Sequence, residues 1–179
     1  MLMIMFATYS SIFSSRVARV FAGLFVVLSA GCGEPGTAPG VEAPPADEPV
    51  TSLVITGNDR MRFDQTRFVV RAGDEIELTF RNIGRMPKET MGHNLAILQR
   101  GVVVNDFAMA AVAHPENAYI PPQYEDQVIA TTAILGPGEE ETLVFTAPEE
   151  PGEYPFVCSF PGHTMAGMQG IMVVIQGEN

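Results

Sequence analysis

The sequence predicts an all-β fold, an antiparallel β-sandwich with one short helix, and three observations carry that expectation. Short runs of alternating apolar and polar residues recur from Ser52 to Ile175, the period-two signature of strands buried on one face. Gly and Pro pairs punctuate those runs. No helical runs alternate with them, which argues against a parallel sheet.

Taken in order, the first strands are Ser52-Leu53-Val54-Ile55, Arg67-Phe68-Val69-Val70-Arg71 and Glu75-Ile76-Glu77-Leu78-Thr79-Phe80. In the last of these Ile76, Leu78 and Phe80 share a face. The pattern continues in His93–Leu98, Gln127–Ala130, Glu141–Phe145, Tyr154–Cys158 and Gly170–Ile175. Turns are expected at Ala72-Gly73-Asp74, Gly136-Pro137-Gly138 and Pro151-Gly152. The one helix is Asn105–Ala113, which opens on cap-type Asn105 and Asp106, continues in helix formers, and stops at His114-Pro115.

The chain divides into three parts. Residues 1–31 form a signal peptide: Arg16 and Arg19 precede the apolar run Val20–Leu28, and small residues Ser29-Ala30-Gly31 lead into Cys32. That run is about half the roughly 20 residues a membrane-spanning helix needs. The junction Leu28-Ser29-Ala30-Gly31-Cys32 resembles a bacterial lipoprotein box, with Ser29 where leucine is usual. The resemblance implies that Cys32 is lipidated and holds the protein to a membrane. Residues 32–49 are rich in Pro, Gly, Ala and acid and have almost nothing to bury, so they read as a flexible tether. Residues 50–177 have the size and apolar content of a single domain.

The chain carries 10 Lys and Arg against 21 Asp and Glu. Such an acidic protein is not expected to bind nucleic acid. Cysteine use is more telling, because with Cys32 given to the lipid the exported domain keeps only Cys158 and no intramolecular disulfide is possible. A lone thiol is either an inert buried residue or a ligand, and its neighbours decide between them.

Those neighbours read Cys158-Ser159-Phe160-Pro161-Gly162-His163-Thr164-Met165-Ala166-Gly167-Met168, which gathers a thiolate, an imidazole and thioethers within eleven residues. All are soft or borderline metal donors. A second imidazole would complete a trigonal His₂Cys site with a weak axial Met, the arrangement of electron-transfer copper. His93, in Met91-Gly92-His93-Asn94 at the start of an apolar strand, is the candidate. Met168 and Met165 both stand where an axial thioether could originate. His114 has no metal-binding neighbour in sequence and reads as a surface or helix-end residue.

Three segments, Gly57–Phe63, Met86–Asn94 and Cys158–His163, closely resemble the azurins in order and separation, and the likeness runs over residues 52–176. The chain departs from azurins in enclosing four residues between His163 and Met168, a spacing similar to auracyanins, and in lacking their disulfide. It is therefore identified as similar to azurin and auracyanin-like cupredoxins. The resemblance implies a Greek-key sandwich binding one type 1 copper through His93, Cys158, His163 and axial Met168, with the Gly92 carbonyl approaching from the opposite side. Asn94 and the Phe160 N–H would brace the ligand loops near the sulfur.

The function so implied is an electron carrier at the periplasm or cell surface, a monomer shuttling electrons between redox proteins such as c-type cytochromes. Electrons would enter at the exposed edge of His163, inside an apolar docking patch of Met61, Met86, Met91, Phe160, Pro161 and Met165. Copper storage or delivery could use the same ligands. Enzymatic chemistry at a second, histidine-rich copper is not expected, because only His114 is spare.

Overall fold

Alternation in the sequence becomes two sheets packed face to face. The computed structural model describes residues 47–177. The expected signal peptide, Cys32 and most of the tether lie outside them.

The strands are β1 (Ser52–Asn58), β2 (Arg62–Phe63), β3 (Arg67–Arg71), β4 (Glu75–Asn82), β5 (Ala96–Leu98), β6 (Val128–Thr131), β7 (Glu140–Thr146), β8 (Gly152–Val157) and β9 (Gln169–Ile175). One sheet has the order β2-β1-β4-β7 and the other β3-β9-β8-β5-β6. Ile55 of β1, Ile76, Leu78 and Phe80 of β4, and Phe156 of β8 are fully buried between them. The rings of Phe63, Phe68, Phe80 and Phe156 interlock in that core.

The sandwich is the one expected, and most strand pairs are antiparallel, but β1 pairs β4 and β3 pairs β9 in parallel. The cause is connectivity. Strand β3 leaves the first sheet for the second, so β4 returns beside β1 running the same way, as a crossover requires.

Strand β5 is buried on both faces, which explains its unbroken apolar run Leu95-Ala96-Ile97-Leu98. Ile97 faces the inter-sheet core, while Ala96 and Leu98 meet Phe107, Ile120 and Val157 in a second cluster. Phe107 belongs to α2 (Val104–Ala111), the helix expected from sequence. It starts one residue before Asn105 and without a side-chain cap, because Val104 packs against the second cluster and packing sets the first turn. Two further helices of four residues each, α1 (Lys88–Met91) and α3 (His163–Ala166), and two 3₁₀ turns, Pro115–Asn117 and Pro122–Gln127, complete the described residues. No helix among them is long and apolar enough to cross a membrane.

Register brings the ends of three neighbouring strands together. Ala96 pairs with Val157, and Val157 with Gln169. The segment leading into β5, the residue after β8 and the residue before β9 therefore meet at one end of the sandwich.

Candidate metal centre

Two segments build this end. The first runs from Cys158 to Met168 and folds back on itself. Gly162 has φ +82°, a conformation that side-chain-bearing residues rarely adopt, and this turn starts α3. The His163 N–H then bonds the Phe160 carbonyl at 3.1 Å, and the Met168 N–H bonds the His163 carbonyl at 2.9 Å. The Cys158 N–H bonds the Met168 carbonyl at 3.1 Å and the Thr164 hydroxyl bonds the Cys158 carbonyl at 2.6 Å, closing the loop. The second segment holds His93 through a reciprocal backbone pair with Leu135, at 3.1 and 2.7 Å.

Asn94 locks the two segments to each other. Its amide donates to Ser159 Oγ and its carbonyl oxygen accepts from the Ser159 N–H, both at 2.8 Å and buried. Ser159 Oγ passes the bond on to the Ala118 carbonyl at 2.8 Å.

The result is a triangle of donors. His93 Nδ1 lies 3.1 Å from His163 Nδ1, and Cys158 Sγ lies 3.4 Å from His163 Nδ1 and 3.9 Å from His93 Nδ1. Such a triangle has a point about 2.0 Å from every corner, close to the ~2.0–2.3 Å bonds that imidazole nitrogen and thiolate make to a first-row metal. All three residues are buried, and among the described residues no other group of three His, Cys, Asp or Glu could hold a metal ion.

Electrostatics favour the uncharged donors until a cation arrives. Burial pushes the Cys158 thiol up to about 12, although the Asn94 and Phe160 backbone N–H groups hydrogen-bond the sulfur and oppose the shift. Burial lowers His163 to about 4, helped by the neighbouring His93. Desolvation also lowers His93, against the Asp59 carboxylate and the Asn58 backbone.

The remaining expected residues fall into place around this triangle. Met168 is fully buried beside the loop it closes, whereas Met165 is 61% exposed on α3. Gly92 is buried, and a Cβ there would lie 2.5 Å from the Lys88 carbonyl oxygen and from Ile134 Cγ2, so only glycine fits. Met86 is exposed, while Met61, Met91, Phe160 and Pro161 are half-buried. His163 is only 3% exposed, less than its expected open edge, because Phe160 leans over it with ring centroids 4.7 Å apart. Tyr119 supports Phe160 from behind at 5.2 Å. His114 is outside the cluster and faces Glu116.

Sequence reasoning missed Ser159, Thr164, Tyr119 and the Asn94 backbone N–H. It also missed Gly57, whose Cβ would meet the Met168 methyl. Each acts through a contact between segments distant in the chain, and no local pattern marks it.

Fold and donor set together define a copper-binding β-sandwich. Residues 50–175 match the family of copper-binding proteins of plastocyanin/azurin type. Azurin from Alcaligenes faecalis is 33% identical over 61% of this chain and 87% of its own length. Outer membrane protein H.8 from Neisseria gonorrhoeae is 33% identical over 77% of this chain and 87% of that one. The crystal structure of dithionite-reduced auracyanin from Roseiflexus castenholzii superposes with a TM-score of 0.64 at 32% identity, covering 72% of this chain and 99% of that one. The chain belongs to the plastocyanin/azurin family, its cofactor is copper, and the His93, Cys158 and His163 triad fits a type 1 copper site.

Proposed function

We propose that the protein is an exported, membrane-tethered electron carrier that cycles one type 1 copper. The observation that carries this reading is the buried donor triangle, set at metal-bonding separations by hydrogen bonds from two segments. Copper in such a site supplies a one-electron couple with little rearrangement of its ligands. His93 and His163 would hold the copper through their Nδ1 atoms, Cys158 through its thiolate and Met168 through its thioether. Burial of Met168 and exposure of Met165 support that choice of methionine. The Gly92 carbonyl would offer a further oxygen donor. The Asn94 and Phe160 N–H groups draw charge from the sulfur and tune the potential.

Burial beneath Phe160 keeps water from the site, and the electron crosses the His163 ring to a patch formed by Met61, Met86, Met91, Pro161 and Met165. The partners are redox proteins, c-type cytochromes among them. The domain works as a monomer over residues 50–177, joined by the 32–49 tether to a lipid on Cys32 at the periplasm or cell surface. Kinship with a relative named as an outer membrane protein supports export. Membership of the plastocyanin/azurin family supports a carrier over an enzyme.

Voltammetry of the copper-loaded protein tests this reading. A carrier gives one reversible one-electron wave and keeps its copper against a strong copper(I) chelator. Rapid loss of copper to the chelator would instead indicate storage or delivery.

A further inference from the structure

The segments that carry exposed Met86 and Met165 differ in charge from the rest of the chain. Residues 57–63, 83–91 and 159–168 carry four cationic side chains, Arg60, Arg62, Arg85 and Lys88, against two acidic ones, Asp59 and Glu89, in a chain whose totals are 10 and 21. The neighbouring carboxylates other than Glu89 are engaged. Asp59 accepts the Arg85 and Met86 backbone N–H groups, Glu139 pairs with Lys88, Glu140 with Arg81, and Glu141 accepts the Ala133 N–H.

Arg60 and Arg85 line one surface groove of about 260 Å³, and among the described residues neither guanidinium pairs with a carboxylate. Exposed Ile83 lies in the same groove. Arg62 reaches the Ala166 carbonyl next to Met165. Exposed apolar side chains thus alternate with arginines, a composition enriched at protein interfaces.

We propose that this face docks an acidic patch on a redox-protein partner, with Arg60, Arg62 and Arg85 meeting its carboxylates around the methionines. The proposal rests on the reading that electrons leave through this face. The chain as a whole is at −11 and repels an acidic protein, so the arginines also select the one orientation in which approach is favourable. A membrane is the weaker occupant. The exposed apolar residues here are Ile and Met, not the Trp, Phe and Leu of interfacial anchors.

Two measurements on the mature protein test it. In the first, hexacyanoferrate(III) oxidises the copper(I) form at rising ionic strength. The expected rate falls several-fold as salt shortens the screening length from ~30 Å to ~3 Å, and the slope flattens or inverts in the Arg60→Gln/Arg85→Gln variant with its colour unchanged. Asp59 holds only the backbone of residue 85, so that variant keeps the loop. A wild-type rate that rises with salt, as the overall charge dictates, overturns the proposal.

In the second, a hexaglutamate peptide is titrated into isotope-labelled, copper-free protein. Amide shifts confined to residues 59–62 and 83–88, and lost in the variant, support it. Shifts produced only by anionic phosphatidylglycerol vesicles assign the face to a membrane and overturn it. Failure of hexacyanoferrate to oxidise the protein at all refutes the electron-carrier reading, and the peptide titration then still decides the docking claim.

Discussion

Gly57 makes room for Met168: a Cβ on residue 57 would lie 2.7 Å from Met168 Cε and 3.0 Å from the Phe80 ring. The absence of a side chain on β1 thus fixes where the buried thioether rests, although the two residues are far apart in sequence. Gly57→Ala forces Met168 or Phe80 aside, an overpacking change costing about 1–3 kcal/mol. His93, Cys158 and His163 are untouched, so the blue colour persists while the reduction potential and electron-spin parameters move. Denaturant unfolding and voltammetry check both parts. An unchanged potential would show that Met168 does not act on the copper.

Asn94→Ala removes two buried hydrogen bonds and leaves the Ser159 N–H without its partner. A destabilisation of about 2–3 kcal/mol is expected, with a broadened copper spectrum as the two ligand segments lose their lock. Thermal unfolding together with spin resonance measures it. Equal stability and a sharp spectrum would place the lock elsewhere.

Proton release on copper uptake follows from the buried donors. Copper needs the thiolate, yet burial holds the Cys158 thiol protonated up to about 12, while both imidazoles are already neutral near pH 7 because burial lowers them. Loading at pH 7.5 therefore frees one proton per site, which pH-stat titration counts. The same shifts set the stability of the copper-free protein. Below the ordinary histidine value of 6.5 the unfolded chain takes up protons that folded His163 refuses until about 4, so stability falls across that window as pH drops. Above the ordinary thiol value of 9.0 the unfolded chain loses a proton that folded Cys158 keeps until about 12, so stability falls again as pH rises. Urea unfolding at pH 5, 7.5 and 10 should find the maximum at the middle value.

Met165 is exposed on α3 and belongs to neither core cluster, so Met165→Glu leaves fold and colour intact. Two copies of the protein exchanging electrons patch to patch would then meet a charge in the contact. Self-exchange, read from nuclear resonance line broadening, should slow about tenfold at high salt, where the arginines are screened and the cost of burying the carboxylate in the contact remains. An unchanged rate would move the docking surface away from α3.

Much of this was legible in the sequence because strands and ligands write themselves locally. Ile76, Leu78 and Phe80 alternate as the inward face of β4 requires, and Cys158, His163 and Met168 lie within one loop. The parallel partners of β1 and β3 were not legible, since a strand carries no mark of which neighbour it will find. Helices α1 and α3 are too short to show a period. His93 and Asn94 read as the start of a strand, but the ladder of β5 begins only at Ala96, because the backbone N–H of Asn94 turns to the Cys158 sulfur. The need for glycine at 57 becomes visible only once Met168 is folded against it.

The most direct test is a copper(II) titration of the purified protein and of Cys158→Ser, followed by visible and electron-spin spectra. One equivalent of copper should give the wild type an intense visible band from thiolate-to-copper charge transfer, and the variant should lack it. A wild type that takes up copper without that band would contradict a type 1 site built on His93, Cys158 and His163.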